Sequence, residues 1–203
     1  MSTIQRYSST LIPITLALVL SSCAASESGT PTTSTPASDR PSASSTNPSG
    51  GISIQDPIDT APLLDQPCTA LTDADRTDLN LTEGRVDTDT ASSAADACVW
   101  ERSEDSGSRV DLIAMTENAN GLEDIRKQNT NSELFAETQI GKYPALHAST
   151  FDQRDRGRCD LWIGVNNSEV FYVFVALRDV PEASDPCGYA DKVGEAMIAN
   201  LSS

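Results

Sequence analysis

Residues 158–177 read RCDLWIGVNNSEVFYVFVAL. In the first half, Cys159, Leu161, Ile163 and Val165 fall on alternate positions, the period-two pattern of a strand with one buried face. NNSE (166–169) is turn chemistry. Val170–Leu177 is apolar on both sides, as a strand in the middle of a sheet must be. The stretch therefore predicts a hairpin whose second strand is central, and such a sheet needs something to cover it. The last helical pattern, DPCGYADKVGEAMIANL (185–201), supplies the cover. Asp185 is placed to cap it. Pro186 suits the first helical position, where a fixed φ and a missing N–H cost nothing. Ala190, Val193, Met197 and Leu201 recur on one side at helical spacing.

Working upstream, CVWE (98–101) and RVDLIAM (109–115) read as two strands that pair, with EGRVDTDTASSAADA (83–97) as a loop before them. GLEDIRKQN (121–129) is a short helix with Leu122 and Ile125 on its apolar side and Asn120 as its cap. ETQIGKYPALHASTF (137–151) gives two short extended pieces around Gly141. Near the start of the domain, Thr72 is an N-cap with Asp75 at N3, opening a helix to about Leu79. Hairpin-connected strands with helices at both ends predict an α+β domain: a mostly antiparallel sheet of about five strands, packed by an N-terminal and a C-terminal helix.

The opening residues have a different character. Residues 1–22 carry Arg6, then the apolar run LIPITLALVL (11–20), then Ser21 and Ser22 ahead of Cys23. About ten apolar residues make a helix of roughly 15 Å, half of a ~30 Å bilayer core. That length suits a cleaved signal and not a transmembrane span. Leu20-Ser21-Ser22-Cys23 resembles the bacterial lipobox. The resemblance implies that Cys23 carries a thioether-linked diacylglycerol as the mature N-terminus, and two acyl chains anchor stably where one does not. Residues 23–55 are then the lipidated cysteine and a disordered Ser/Thr/Pro linker, poor in large apolar residues. Its composition also suits surface glycosylation. Residues 56–203 are read as one α+β domain, long enough for a core of its own.

The chain has five cysteines, and assigning Cys23 to lipid leaves Cys68, Cys98, Cys159 and Cys187. An even number outside the cytoplasm argues for two disulfides. Three connectivities are open. Cys68–Cys98 and Cys159–Cys187 are favoured because each joins a helix N-terminus to a strand, and a Cys68–Cys159 link would imply another topology. A zinc site is the rival, but there is no C-x-x-C pair and His147 is the one histidine. No metal ligand and no cofactor is assigned.

DQPCTALTDADRTDLNL, ACVW, IGKYPAL, RCDLWIGV and DPCGYADKVGEAMIANL, in that order and spacing, resemble the actinobacterial lipoprotein family labelled domain of unknown function 3558. The likeness runs through the signal, the linker and the domain from about Pro57 onward. It implies a lipid-anchored envelope protein with four paired cysteines and no assigned activity, so no functional residue carries over from it.

Composition narrows the function classes. With 14 Lys+Arg against 30 Asp+Glu and a formal charge of −16, nucleic acid is not an expected partner. His147 sits in YPALHAST, beside no nucleophile motif, and reads as a half-buried strand histidine. No Ser-x-x-Lys involves Lys127, Lys142 or Lys192. Acids such as Glu101, Glu104 and Asp105 are many, but no pair stands out. Asp87 and Asp89 in DTDT lack the glycine and distal Glu of a calcium loop. No catalytic residue is therefore named. Trp100, Trp162, Phe171, Tyr172 and Phe174 are the candidate pocket residues, in a groove between sheet and C-terminal helix, with the two tryptophans packed near the two disulfides. The expectation is a non-catalytic binding or interaction module on the extracytoplasmic face of the cell membrane, for a small molecule, a lipid or a protein. The alternatives are a carboxylate-dependent hydrolase of envelope material, or an accessory subunit docking a membrane-protein partner.

Overall fold

A computed structural model describes residues 52–89, 95–102 and 107–202. The proposed signal, Cys23 and nearly all of the linker lie outside them. The domain opens with α1 (Ala61–Asp65), a 3-10 turn (Pro67–Ala70) and α2 (Asp73–Asp78). Strands β1 (Arg85–Asp87), β2 (Ala97–Glu101) and β3 (Arg109–Met115) follow, then α3 (Leu122–Gln128). Next come β4 (Leu134–Ile140), β5 (Tyr143–Ser149), β6 (Arg158–Gly164) and β7 (Val170–Ala176), and α4 (Pro186–Leu201) closes the domain.

The strands form one antiparallel sheet of seven, ordered β1-β2-β3-β7-β6-β5-β4. The expected class holds, and the strand number of about five is corrected to seven. One reason is β1. Its three residues, Arg85–Asp87, lie within the stretch expected to be loop, and their strand character comes from pairing with Cys98 and its neighbours. β7 does lie in the middle, between β3 and β6.

Directly paired residues share a face of the sheet. One row runs Val86, Cys98, Leu112, Val173, Leu161, His147, Ala136 from edge to edge. This face is covered by α4, whose Ala190, Val193 and Met197 are fully buried. Gly194 lets the helix approach closely: a Cβ there would stand 3.0 Å from Ile163 Cδ1. The adjoining row runs Asp87, Ala97, Ile113, Tyr172, Trp162, Leu146, Glu137 on the opposite face. Only part of that face is covered by a described helix, α3, through Leu122 and Ile125 on Leu146, Ala148 and Val170.

The caps explain where the helices start. Thr72 Oγ1 accepts the Asp75 N–H while Asp75 accepts the Thr72 N–H, a complete capping box. Asp185 accepts the Gly188 N–H at 3.0 Å, with Pro186 at the first turn. Asn120 does not cap α3. Gly121 holds the N-cap position at φ 52°, and Asn120 instead donates its backbone and side-chain N–H groups to Asp124.

Cys68 is bonded to Cys98 and Cys159 to Cys187. The first bond ties the N-terminal 3-10 turn to β2, and the second ties the start of α4 to β6. Tyr189 of α4 donates to the Leu79 carbonyl at 2.9 Å, and Asn200 to the Thr69 carbonyl at 3.0 Å. The N-terminal helices are thus held to α4 by hydrogen bonds as well. Packing starts a little before Pro57. Ile54 is buried in the core, and its N–H donates to Asn167 Oδ1 at 3.0 Å.

Candidate binding groove

The five aromatic residues picked from the sequence do not meet. Trp100 and Phe171 are fully buried in the main core, so the space between sheet and α4 is packed side chains where a groove was expected. Trp162, Tyr172 and Phe174 lie on the other face. Trp162 and Tyr172 pair with ring centroids 4.3 Å apart, and Trp162 Nε1 donates to the Ala148 carbonyl at 2.9 Å. Trp100 shares the Cys98 side of β2, and a Cβ on Gly84 would meet both Trp100 Nε1 and Cys98 Sγ. Trp162 faces away from the Cys159 sulfur, because it alternates with Cys159, Leu161 and Ile163 along β6.

A roomy concavity lies elsewhere, between α3 and the β4–β5 hairpin. Its volume is about 810 Å³, and it is lined by Ile52, Leu122, Glu123, Arg126, Glu137, Thr138, Gln139, Pro144, Ala145 and Leu146. Those residues belong to the N-terminal segment, one face of α3 and the last two strands of the sheet. Leu122 and Leu146 are buried, whereas Glu137 and Gln139 are exposed on the edge strand. The groove therefore has an apolar floor and a polar rim.

One ion-pair group organises the α3 side. Arg126 Nε and Nη2 each donate to a different oxygen of Glu123 at 2.8 Å, and Lys127 Nζ stands 3.5 Å away. These partners lie at i+3 and i+4, where a helix brings side chains together. The Arg126 hydrogen bonds hold the Glu123 carboxyl below its ordinary range, and Glu123 raises Arg126 in return. A carboxylate held ionised this way is unsuited to donate a proton as a general acid.

A second hollow of about 290 Å³ lies on the same face beside β1. It is lined by Asp87, Ala97, Val99, Arg109, Asp111, Ile113, Tyr172 and Phe174. Arg109 lies over the Phe174 ring at 5.7 Å and pairs with Asp111 at 3.1 Å. Burial raises the Asp111 carboxyl above its usual value, against the pull of Arg109. Tyr172 donates its hydroxyl to Asp160, and its hydroxyl is held well above its ordinary value, first by burial and then by Asp160. Of the acids singled out in the sequence, Glu101 ends β2, while Glu104 and Asp105 lie outside the described residues.

His147 is buried and faces α4, where its Nε2 lies 2.7 Å from Asp191 Oδ1. It also neighbours Cys159 and Cys187. Among the described residues these three form the one group whose ligand types and spacing could hold a metal. Here their two sulfurs are bonded to each other. Also among the described residues, no helix is long and apolar enough to cross a membrane.

The groove escaped sequence reasoning because its wall comes from α3 and its edge from β4, which only the fold brings together. The legible signal was local: Leu122 and Ile125 on one side of a short helix, with Glu123, Arg126 and Lys127 at salt-bridging spacing.

One antiparallel sheet, one face closed by a disulfide-linked helix and the other left with a groove, defines a compact α+β scaffold with a concave site. A family model for a protein of unknown function (DUF3558) matches residues 18–200, and the chain belongs to that family. No curated protein and no solved structure matches it.

Proposed function

We propose that the chain is a lipid-anchored, non-catalytic binding module of the cell envelope. Its groove takes a small amphiphile from the extracytoplasmic side of the membrane. The observation that carries this reading is the groove itself. Its volume of about 810 Å³ lies within the range of small-molecule sites, and its lining is divided evenly between apolar and polar residues, as an amphiphile requires. Ile52, Leu122, Pro144 and Leu146 suit an apolar body, and Arg126 and Gln139 suit its polar end.

The lipobox-like LSSC and the Ser/Thr/Pro tract support anchoring at Cys23 on a tether. Two disulfides are chemistry of an oxidising compartment and support export. The acidic balance supports a partner other than nucleic acid.

Titration with a dansyl-labelled fatty acid tests the binding claim. Saturable binding of one probe per chain is expected, weakened at least tenfold by Gln139→Trp, which fills the groove from an exposed rim position. Equal binding by the variant, or no saturable binding, would overturn it.

One observation favours hydrolysis as a second reading. Asp111 is held toward its protonated form near Tyr172, whose hydroxyl is bonded to Asp160. That reading requires turnover of envelope polysaccharide that Asp111→Asn abolishes.

A further inference from the structure

The two walls of the groove carry opposite charges that do not meet. On α3, Leu122 and Arg126 are four residues apart and share a side of the helix. On β4, Glu137 pairs directly with Leu146 of β5, so the two stand on one face of the sheet. Leu122 and Leu146 pack together in one apolar cluster. Arg126 and Glu137 flank that floor, one from each wall. Glu137 is exposed, and its carboxylate makes no hydrogen bond or salt bridge. Arg126 gives Nε and Nη2 to Glu123, but its Nη1 makes no hydrogen bond and its side chain is 39% exposed. Lys127 shares the same Glu123 carboxylate, so two cations of α3 answer to one anion. Asp124 is turned to Asn120 and does not line the groove. Glu123 is the main reason the Arg126 guanidinium is held above its ordinary value, and the charge of Glu137 adds to it. The two rim groups are near enough to act on each other, yet no salt bridge closes the space between them.

Resting on the amphiphile reading of the groove, we propose that its ligand carries a zwitterionic head, an ammonium seated against Glu137 and a phosphate seated against Arg126. The ammonium donates to the Glu137 carboxylate. The phosphate oxygens accept from Nη1 of Arg126, whose planar set of donors suits that geometry. The tail lies along Ile52, Leu122 and Leu146. A head with only a negative charge would meet Glu137 at the rim of a chain whose formal charge is already −16. A head with only a positive charge would satisfy Glu137 and leave Arg126 facing it. Gln139 lies two residues from Glu137 on the same side of β4. It is uncharged and serves each of these heads alike. Both charged groups remain partly in water, so the discrimination is several-fold and not absolute.

Isothermal titration calorimetry of the full chain carrying Cys23→Ser tests the head preference, with single-chain amphiphiles kept below their micelle concentrations. Lauroyl lysophosphatidylethanolamine supplies the zwitterion, lauroyl lysophosphatidylglycerol the anion and dodecylammonium the cation. The zwitterion should bind roughly threefold to fivefold tighter than either singly charged head. Glu137→Gln, a change at an exposed position of the edge strand β4, should erase the advantage over the anion. Glu137→Lys should reverse it, so that the anion binds tightest. Glycerophosphoethanolamine, the same head without a tail, should give no binding at these concentrations. Equal affinity for the three heads, tightest binding of a singly charged head, or an advantage unchanged in Glu137→Gln would overturn this inference and leave the amphiphile reading standing. Binding of none of the three would overturn both. Binding of the tail-less head as tightly as the lysolipid would overturn the amphiphile reading and keep the recognition of the head.

Discussion

Replacing Cys68 and Cys98 together by alanine removes the bond between the N-terminal 3-10 turn and β2. The two cysteines are 30 residues apart. In the chain-entropy model, closing a loop of that size restricts the denatured chain by about 12 cal/mol/K, about 3.7 kcal/mol at 25 °C. A second contribution comes from packing. Cys98 is fully buried beside Trp100, and losing its sulfur leaves a small cavity, worth roughly 1 kcal/mol on the scale of one buried methylene. The expected loss is therefore about 4–5 kcal/mol, a large share of the 5–15 kcal/mol typical of a domain. Equilibrium urea unfolding, followed by circular dichroism and tryptophan fluorescence, measures it as a fall in midpoint. A loss under about 1 kcal/mol would refute the reasoning. It would show that Tyr189 to Leu79 and Asn200 to Thr69 already hold the N-terminal helices without the bond.

Other perturbations test separate parts of the account. Gly157 lies at φ 71°, and a Cβ there would come within 2.2 Å of the Leu177 carbonyl oxygen. Gly157→Ala should cost about 2–3 kcal/mol in the same unfolding assay. Thr72→Ala removes one half of the capping box and should cost about 1 kcal/mol. Asp111 has a pH signature whose sign follows from its raised carboxyl. A group titrating higher when folded favours the fold below its unfolded value and loses that contribution as pH rises through the folded value. Asp111→Asn should therefore be more stable than the natural chain at pH 7, and the difference should shrink as pH falls toward the ordinary Asp range. Thermal melts across that range measure it, and a gain that does not depend on pH would contradict the burial argument.

What the sequence made legible follows from how local each signal is. The β6–β7 hairpin was readable because alternation on β6 and an unbroken apolar run on β7 need no partner to be recognised. The α4 helix was readable from Asp185 and Pro186 at one end and an apolar stripe along its side. The disulfides followed from a count of cysteines and from helix-to-strand geometry. By contrast, β1 has three residues and no buried one, so nothing in Arg85–Asp87 distinguishes it from loop until β2 lies beside it. Asn120 looked like a cap, but a positive φ at Gly121 set the start of α3. The pocket was misplaced for a related reason. Aromatic residues mark burial, and in β2 and β7 burial meant core, while the concavity formed where a short helix leaves part of the sheet uncovered.

Native mass spectrometry of the protein released from its own membrane tests the central claim most directly. The account predicts a mature chain beginning at Cys23, heavier by a diacylglycerol, that retains one further non-covalent mass, and loss of that mass in Gln139→Trp. A chain extending upstream of Cys23 without acyl groups, or no retained mass in the unaltered protein, would contradict it.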